Sequence, residues 1–208
     1  MIKVGAIMHV KLRVVDKTSL DLTLLKNELE SVLFNFERVF RNLDSIVVGH
    51  FKEFEERDIN ALLYKDKIFI SNKQDNVQDA TDDIVHEFAH FLEKKYYDFI
   101  YEDKKIKKEY VRIRKIFNKR FPNEFEITYK FDKNFDDFLY IQLGYDQIYE
   151  QMKFFVKSPY ALTSLREFFA SCFEVHVLGD INQRSIREHS PNTFKKILSI
   201  EKILSTNH

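Results

Sequence analysis

The segment Asp79–Glu93 leaves the chain little freedom. Ile84, Val85, Phe88, Ala89 and Leu92 recur at three- and four-residue intervals behind an acidic, cap-forming start, the pattern of a helix buried along one face. The same stretch carries His86, Glu87 and His90. Residues four apart on a helix lie one turn above each other, so the two imidazoles can converge on a single metal ion. Glu87 follows a ligand directly, which turns its carboxylate toward the side of the metal where a water would sit, the place of a general base. The alternative is a core helix with two hydrogen-bonded histidines. Burying two imidazoles and a carboxylate in an apolar run is costly without a compensating partner, and this favours the metal reading.

Around this helix the periodicities predict an α+β chain. Residues 9 to 16 alternate as a strand, Ser45 to Phe51 reads as a second strand, and Leu20 to Leu43 repeats its apolar positions as a helix that crosses them. Ala61–Tyr64 and Lys67–Ser71, joined at Lys65-Asp66, read as a hairpin. Helices are then expected at about 78–98, 104–120, 135–156, 164–178 and 192–204, with 125–131 a short strand or lid. With no repeat, linker or low-complexity tract, a single domain is expected, 1–76 holding a small mixed sheet and 77–208 mainly helical.

Composition narrows the chemistry. Cys172 is the one cysteine in 208 residues, so intrachain disulfides and thiolate-rich zinc sites are excluded, and any zinc must use histidine and carboxylate ligands. Cys172 itself, among Phe168, Phe169 and Phe173, reads as a small buried hydrophobe. Lysine plus arginine and aspartate plus glutamate both number 33, leaving no net field to attract nucleic acid or an anionic membrane. The basic residues of 104–120 (Lys104, Lys108, Arg112, Arg114, Lys115 and others) read as a solvated helix face. The N-terminal apolar run is too short for a signal-peptide core, and no segment approaches the roughly 18 apolar residues of a membrane span. A cytoplasmic protein is expected, or one delivered by a route without a cleavable signal.

A catalytic zinc site takes three protein ligands and keeps a fourth position for water, so a third ligand must come from elsewhere in the chain. Phe-Leu-Glu-Lys-Lys-Tyr-Tyr after His90 excludes the metzincin pattern, which continues with a glycine and a histidine. Glu93, one turn after His90, and Glu174 are possible ligands or partners of ligands. Downstream stand Tyr160 and then Glu167-Phe-Phe-Ala-x-x-Phe173. Together with His-Glu-Phe-Ala-His at 86–90, this order resembles the catalytic domain shared by anthrax lethal factor and the clostridial Pro-Pro endopeptidases, over roughly residues 61–178.

The resemblance implies a zincin-like fold and a zinc-dependent endopeptidase. It implies one Zn2+ held by His86, His90 and Glu167, with Glu87 as base and Tyr160, seven residues before the ligand glutamate, lining the site. It also implies a protein or peptide substrate lying extended along an edge strand just before the active-site helix, for which Lys67–Ser71 is the candidate. The chain departs from the family at Ser171, where a second acidic residue is common, and in the longer gap between His90 and Glu167. Ser164-x-x-Glu167 also fits a helix capping box, in which Glu167 would bond back to its own helix start. His176 lies on the opposite side of that helix and is expected to be structural. The same constellation would serve an amidase acting on a non-protein bond, or a metal that only staples two helices.

Overall fold

The computed structural model describes residues 3–57 and 59–205. The chain divides into two compact units, one running to Leu92 and taking up the segment from Glu201, the other spanning Glu93–Ile200.

The first unit is built on a mixed five-stranded sheet in the order β1-β2-β3-β5-β4. Its strands are β1 (Lys3–Ile7), β2 (Val10–Val14), β3 (Ser45–Gly49), β4 (Ala61–Tyr64) and β5 (Lys67–Ser71). β1 pairs antiparallel with β2 through Met8 and His9, both at positive φ, the backbone of a two-residue turn that follows the strand twist. Neither residue is the asparagine or glycine that usually marks such a turn, which is why β1 left no hairpin signal in the sequence. Lys65 and Asp66 repeat the geometry between β4 and β5, as expected there. β2 and β5 both run parallel to their neighbour β3, whose five residues are all buried. β2 alternates, burying Val10, Leu12 and Val14 while Lys11 and Arg13 face out.

The crossing segment between β2 and β3 starts at α1 (Leu22–Val32), capped by the Asp21 carboxylate, which accepts from the Thr23 and Leu24 amides. The expected continuous helix to Leu43 breaks at Leu33, tightens into a 3₁₀ turn at Phe34–Phe36 and ends in α2 (Glu37–Phe40). The run Val32-Leu33-Phe34-Asn35-Phe36 consists mostly of weak helix formers. A short α3 (Lys52–Arg57), not foreseen, follows β3. α4 (Val77–Lys95), begun at Asn76, whose side-chain oxygen accepts from the Asp79 amide, carries the candidate motif. Phe88 meets Phe36 and Phe40 edge-on at 6.4 and 5.2 Å between centroids, so the crossing segment and α4 share one aromatic core.

The second unit is helical, taking the last turn of α4, α5 (Tyr97–Tyr101), α6 (Lys105–Arg120), α7 (Lys133–Asp137), α8 (Tyr145–Met152), α9 (Leu165–Leu178), α10 (Gln183–His189) and most of α11 (Pro191–Ser205). The helix expected over 135–156 is interrupted by a π-turn at Phe138–Leu143 and by Gly144 at φ +80°, a conformation that glycine adopts without strain. Residues 125–131 form no strand; all five strands of the sheet belong to the first unit. α6 buries Ile106, Tyr110, Ile113 and Phe117 and exposes most of its basic residues, with one exception: Arg114 turns inward and is 1% exposed. Among the described residues no helix is long and apolar enough to cross a membrane.

Candidate metal centre

α4 places His86 and His90 one turn apart with their rings edge-to-face, 4.8 Å between centroids and 89° between planes. His90 is 5% exposed and His86 half-buried. Between them Glu87 projects toward the sheet, and its Oε2 accepts the Leu63 backbone N–H at 2.7 Å. Leu63 lies on β4, and β4, not Lys67–Ser71, is the free edge on this side of the sheet. β5 is paired on both sides, with β3 and with β4, and has no edge to offer, which corrects the expectation from the sequence. The hairpin was legible, but which arm lies outside depends on the parallel pairing of β5 with β3, a long-range choice with no local signature.

The register of β4 decides which groups face out. The Ser71 amide bonds to the Asn60 carbonyl, so in the alternating antiparallel pattern Asn60, Leu62 and Tyr64 bond to β5 and its extension. Ala61 and Leu63 then turn their N–H and C=O groups outward. One of these four groups, the Leu63 N–H, is the donor that Glu87 holds.

In the second unit α9 presents Glu167 from its first turn, 9% exposed. Ser164 caps the helix, its Oγ accepting the Glu167 N–H at 3.1 Å, so the serine half of the capping box is present. Tyr160 sits half-buried on the 3₁₀ turn Pro159–Leu162, its ring 6.4 Å from that of Phe131. Its carbonyl accepts both the Thr163 N–H at 3.0 Å and the Thr163 hydroxyl at 2.7 Å. Nearby, Asp136 accepts the Tyr145 hydroxyl at 2.8 Å. Burial above all pushes the Asp136 carboxyl above its usual range, and the charge of Glu167 acts in the same direction.

Among the described residues, His86, His90 and Glu167 form a group that could hold a metal ion, with one ligand atom from each and these atoms all within 4.8 Å of one another. Two imidazoles and a carboxylate are a donor set that zinc accepts, with one tetrahedral position left open. Glu93 and Glu174, the other carboxylates the sequence offered, do not belong to the group and are engaged elsewhere. Glu93 accepts the Tyr101 hydroxyl at 2.6 Å and pairs with Arg166 Nε at 3.4 Å; Glu174 pairs with Lys157 at 2.5 Å. Cys172 is 2% exposed, and burial pushes its thiol far above its ordinary range, so it supplies neither ligand nor nucleophile. His176 lies against Arg187, Nδ1 to Nη2 3.2 Å, and does not belong to the group.

Comparison with protein-family models, with curated proteins and with solved structures found no match to this chain.

Proposed function

We propose that the chain is a zinc-dependent endopeptidase of zincin type, related in its site to the lethal-factor-like enzymes that its motifs resemble. The observation that carries this reading is the His86–His90–Glu167 donor group, which includes both histidines of the helix motif. His86, His90 and Glu167 would hold one Zn2+. When bound, zinc supplies the Lewis acidity that makes water a nucleophile near neutral pH.

The residues of the chain do the rest. An extended peptide pairs with the outward groups of Ala61 and Leu63 along β4, which places a scissile carbonyl beside α4. Leu63 N–H holds Glu87 Oε2, so Oε1 is the atom that takes the proton from the attacking water and passes it to the nitrogen of the leaving amine. Tyr160 donates its phenolic hydrogen bond to the carbonyl oxygen as that oxygen gains negative charge.

Metal content tests the reading. Elemental mass spectrometry on untagged protein should give one zinc per chain in the wild type, lost or much weakened in His86→Ala and in Glu167→Ala. Zinc that persists in Glu167→Ala would overturn the third ligand, and none in the reconstituted wild type would overturn the function. A peptide-library digest then separates an endopeptidase from a hydrolase of another bond. A zinc-loaded protein that cuts no peptide removes the endopeptidase assignment.

A further inference from the structure

The largest fully buried side chain among the described residues is a charged one, and neither the metal group nor the proton transfers use it. Arg114, on α6, is 1% exposed, with its guanidinium 3.7 Å over the ring of Phe135. Its Nη1 donates to the Leu162 carbonyl at 2.6 Å and lies 3.3 Å from the Tyr110 hydroxyl, which donates to that same carbonyl at 2.9 Å. Nε and Nη2 have no hydrogen-bond partner among the described residues. The Asp132 carboxylate acts on Arg114 only through its charge, since its Oδ1 caps α7 by accepting from Asn134 and Phe135.

A buried cation with unpaired donors is an expensive way to fill a core, and an apolar side chain of similar volume commonly serves stability as well or better. What an apolar side chain cannot do is bind the Leu162 carbonyl. That carbonyl ends the 3₁₀ turn carrying Tyr160 and stands two residues before Ser164, the cap of the helix that presents Glu167. From Tyr160 to Glu167 the backbone is pinned in turn by Thr163 on the Tyr160 carbonyl, by Arg114 and Tyr110 on Leu162, by Ser164 on Glu167, and by the Leu165 N–H on the Tyr129 carbonyl. Arg114 supplies the one charged donor in that series.

We propose that Arg114, assisted by Tyr110, is a positioning residue that fixes the Tyr160–Glu167 segment for its work at the metal, an inference that rests on the function proposed above. The two clamp one carbonyl within the segment, two residues after Tyr160 and five before Glu167, so that the phenol of Tyr160 and the carboxylate of Glu167 are presented in one geometry. Loosening the clamp leaves the fold and loosens both groups together.

The test compares wild type with Arg114→Met, Arg114→Lys and Tyr110→Phe, using amide hydrogen exchange across 158–167, zinc affinity by chelator competition, peptide kcat and KM, and urea unfolding. Arg114→Met should remain folded, with exchange at the Thr163, Leu165 and Glu167 amides at least ~10-fold faster and zinc bound roughly 10- to 100-fold more weakly, the usual scale for removing a partner that orients a ligand. Its kcat should fall while KM stays within about two-fold, since ground-state peptide binding is not what the clamp serves. Arg114→Lys, which can still donate to Leu162, should recover part of each loss, and Tyr110→Phe should show the same changes in smaller measure. Unaltered local exchange and zinc affinity in both Arg114→Met and Tyr110→Phe, with only a change in unfolding midpoint, would make Arg114 a purely structural residue and overturn the proposal. A wild type that binds no zinc is a different failure: it removes the function on which the proposal rests, and the proposal with it.

Discussion

Glu87→Gln separates an enzyme from a protein with a structural metal. Glu87 makes one recorded bond, to the Leu63 N–H through Oε2 at 2.7 Å. Glutamine keeps an oxygen in the same place and loses only the charge. A hydrogen bond to a charged group contributes about 1.5–3 kcal/mol and a neutral one about 0.5–1.5, so the substitution should cost about 1 kcal/mol of stability. Zinc stoichiometry should not move, because Glu87 is no ligand. The effect on catalysis is of another order. A positioned general base contributes typically about 10²- to 10⁴-fold, or about 3–5 kcal/mol of transition-state stabilisation at 1.36 kcal/mol per decade. The assay is single-turnover hydrolysis of a cleaved peptide by zinc-loaded protein, with urea unfolding and metal analysis on the same preparation. Turnover within ten-fold of wild type, with zinc bound, would refute the base assignment. Zinc lost in Glu87→Gln would refute the division of roles along α4, and a stability loss above about 3 kcal/mol would show Glu87 to be chiefly a tie between helix and sheet.

Two further predictions concern the second unit. Glu109, 6% exposed, accepts four hydrogen bonds at the start of α11, from the Asn192 amide at 2.6 Å and side chain at 2.7 Å and from the Thr193 amide at 2.9 Å and hydroxyl at 2.7 Å. It serves as a remote N-cap, so Glu109→Gln should lower unfolding stability by about 2 kcal/mol and Glu109→Ala by about 4, read from urea midpoints. His189 stacks on Phe155 at 4.3 Å, and burial first, then the charges of Arg112 and Arg120, hold its pKa below the ordinary 6.5. The unfolded chain therefore takes the proton first. The stability His189 contributes is full above about pH 6.5 and is lost as pH falls below that through the folded value. In chelator-treated protein, His189→Phe should flatten the fall in urea midpoint between pH 7.5 and 5.

What the sequence disclosed and what it withheld divide by the range of the interactions. α4 was legible because apolar spacing, cap and motif all lie within one continuous segment, and α9 because Ser164 and Gly179 mark its ends. Glu167 was reachable only through resemblance, since its helix also carries Glu174, seven residues on; what separates them is that Glu167, and not Glu174, belongs to the group with His86 and His90. β1 was hidden by a turn made from Met8 and His9. Arg114 looked like one more member of a basic face because its neighbours Arg112 and Lys115 are exposed, and only the position of the Leu162 carbonyl explains why it turns in.

The reassignment of the edge from Lys67–Ser71 to β4 alters what substrate recognition can rest on. β4 is four residues long, and only Ala61 and Leu63 face outward, with the Leu63 N–H already bonded to Glu87. An extended peptide laid along it therefore gains at most a few main-chain hydrogen bonds, each of modest net worth in exchange with water. To bond the Leu63 N–H it must also compete with the Glu87 carboxylate, the proposed base. Main-chain pairing on so short an edge can set the direction and register of a peptide but supplies little of its affinity. Under the endopeptidase reading, then, discrimination between substrates must come from side chains on the substrate rather than from strand addition. A peptide stripped to alanine around the scissile bond should consequently lose far more of its kcat/KM than one whose main-chain amides are methylated beyond the span of Ala61–Leu63.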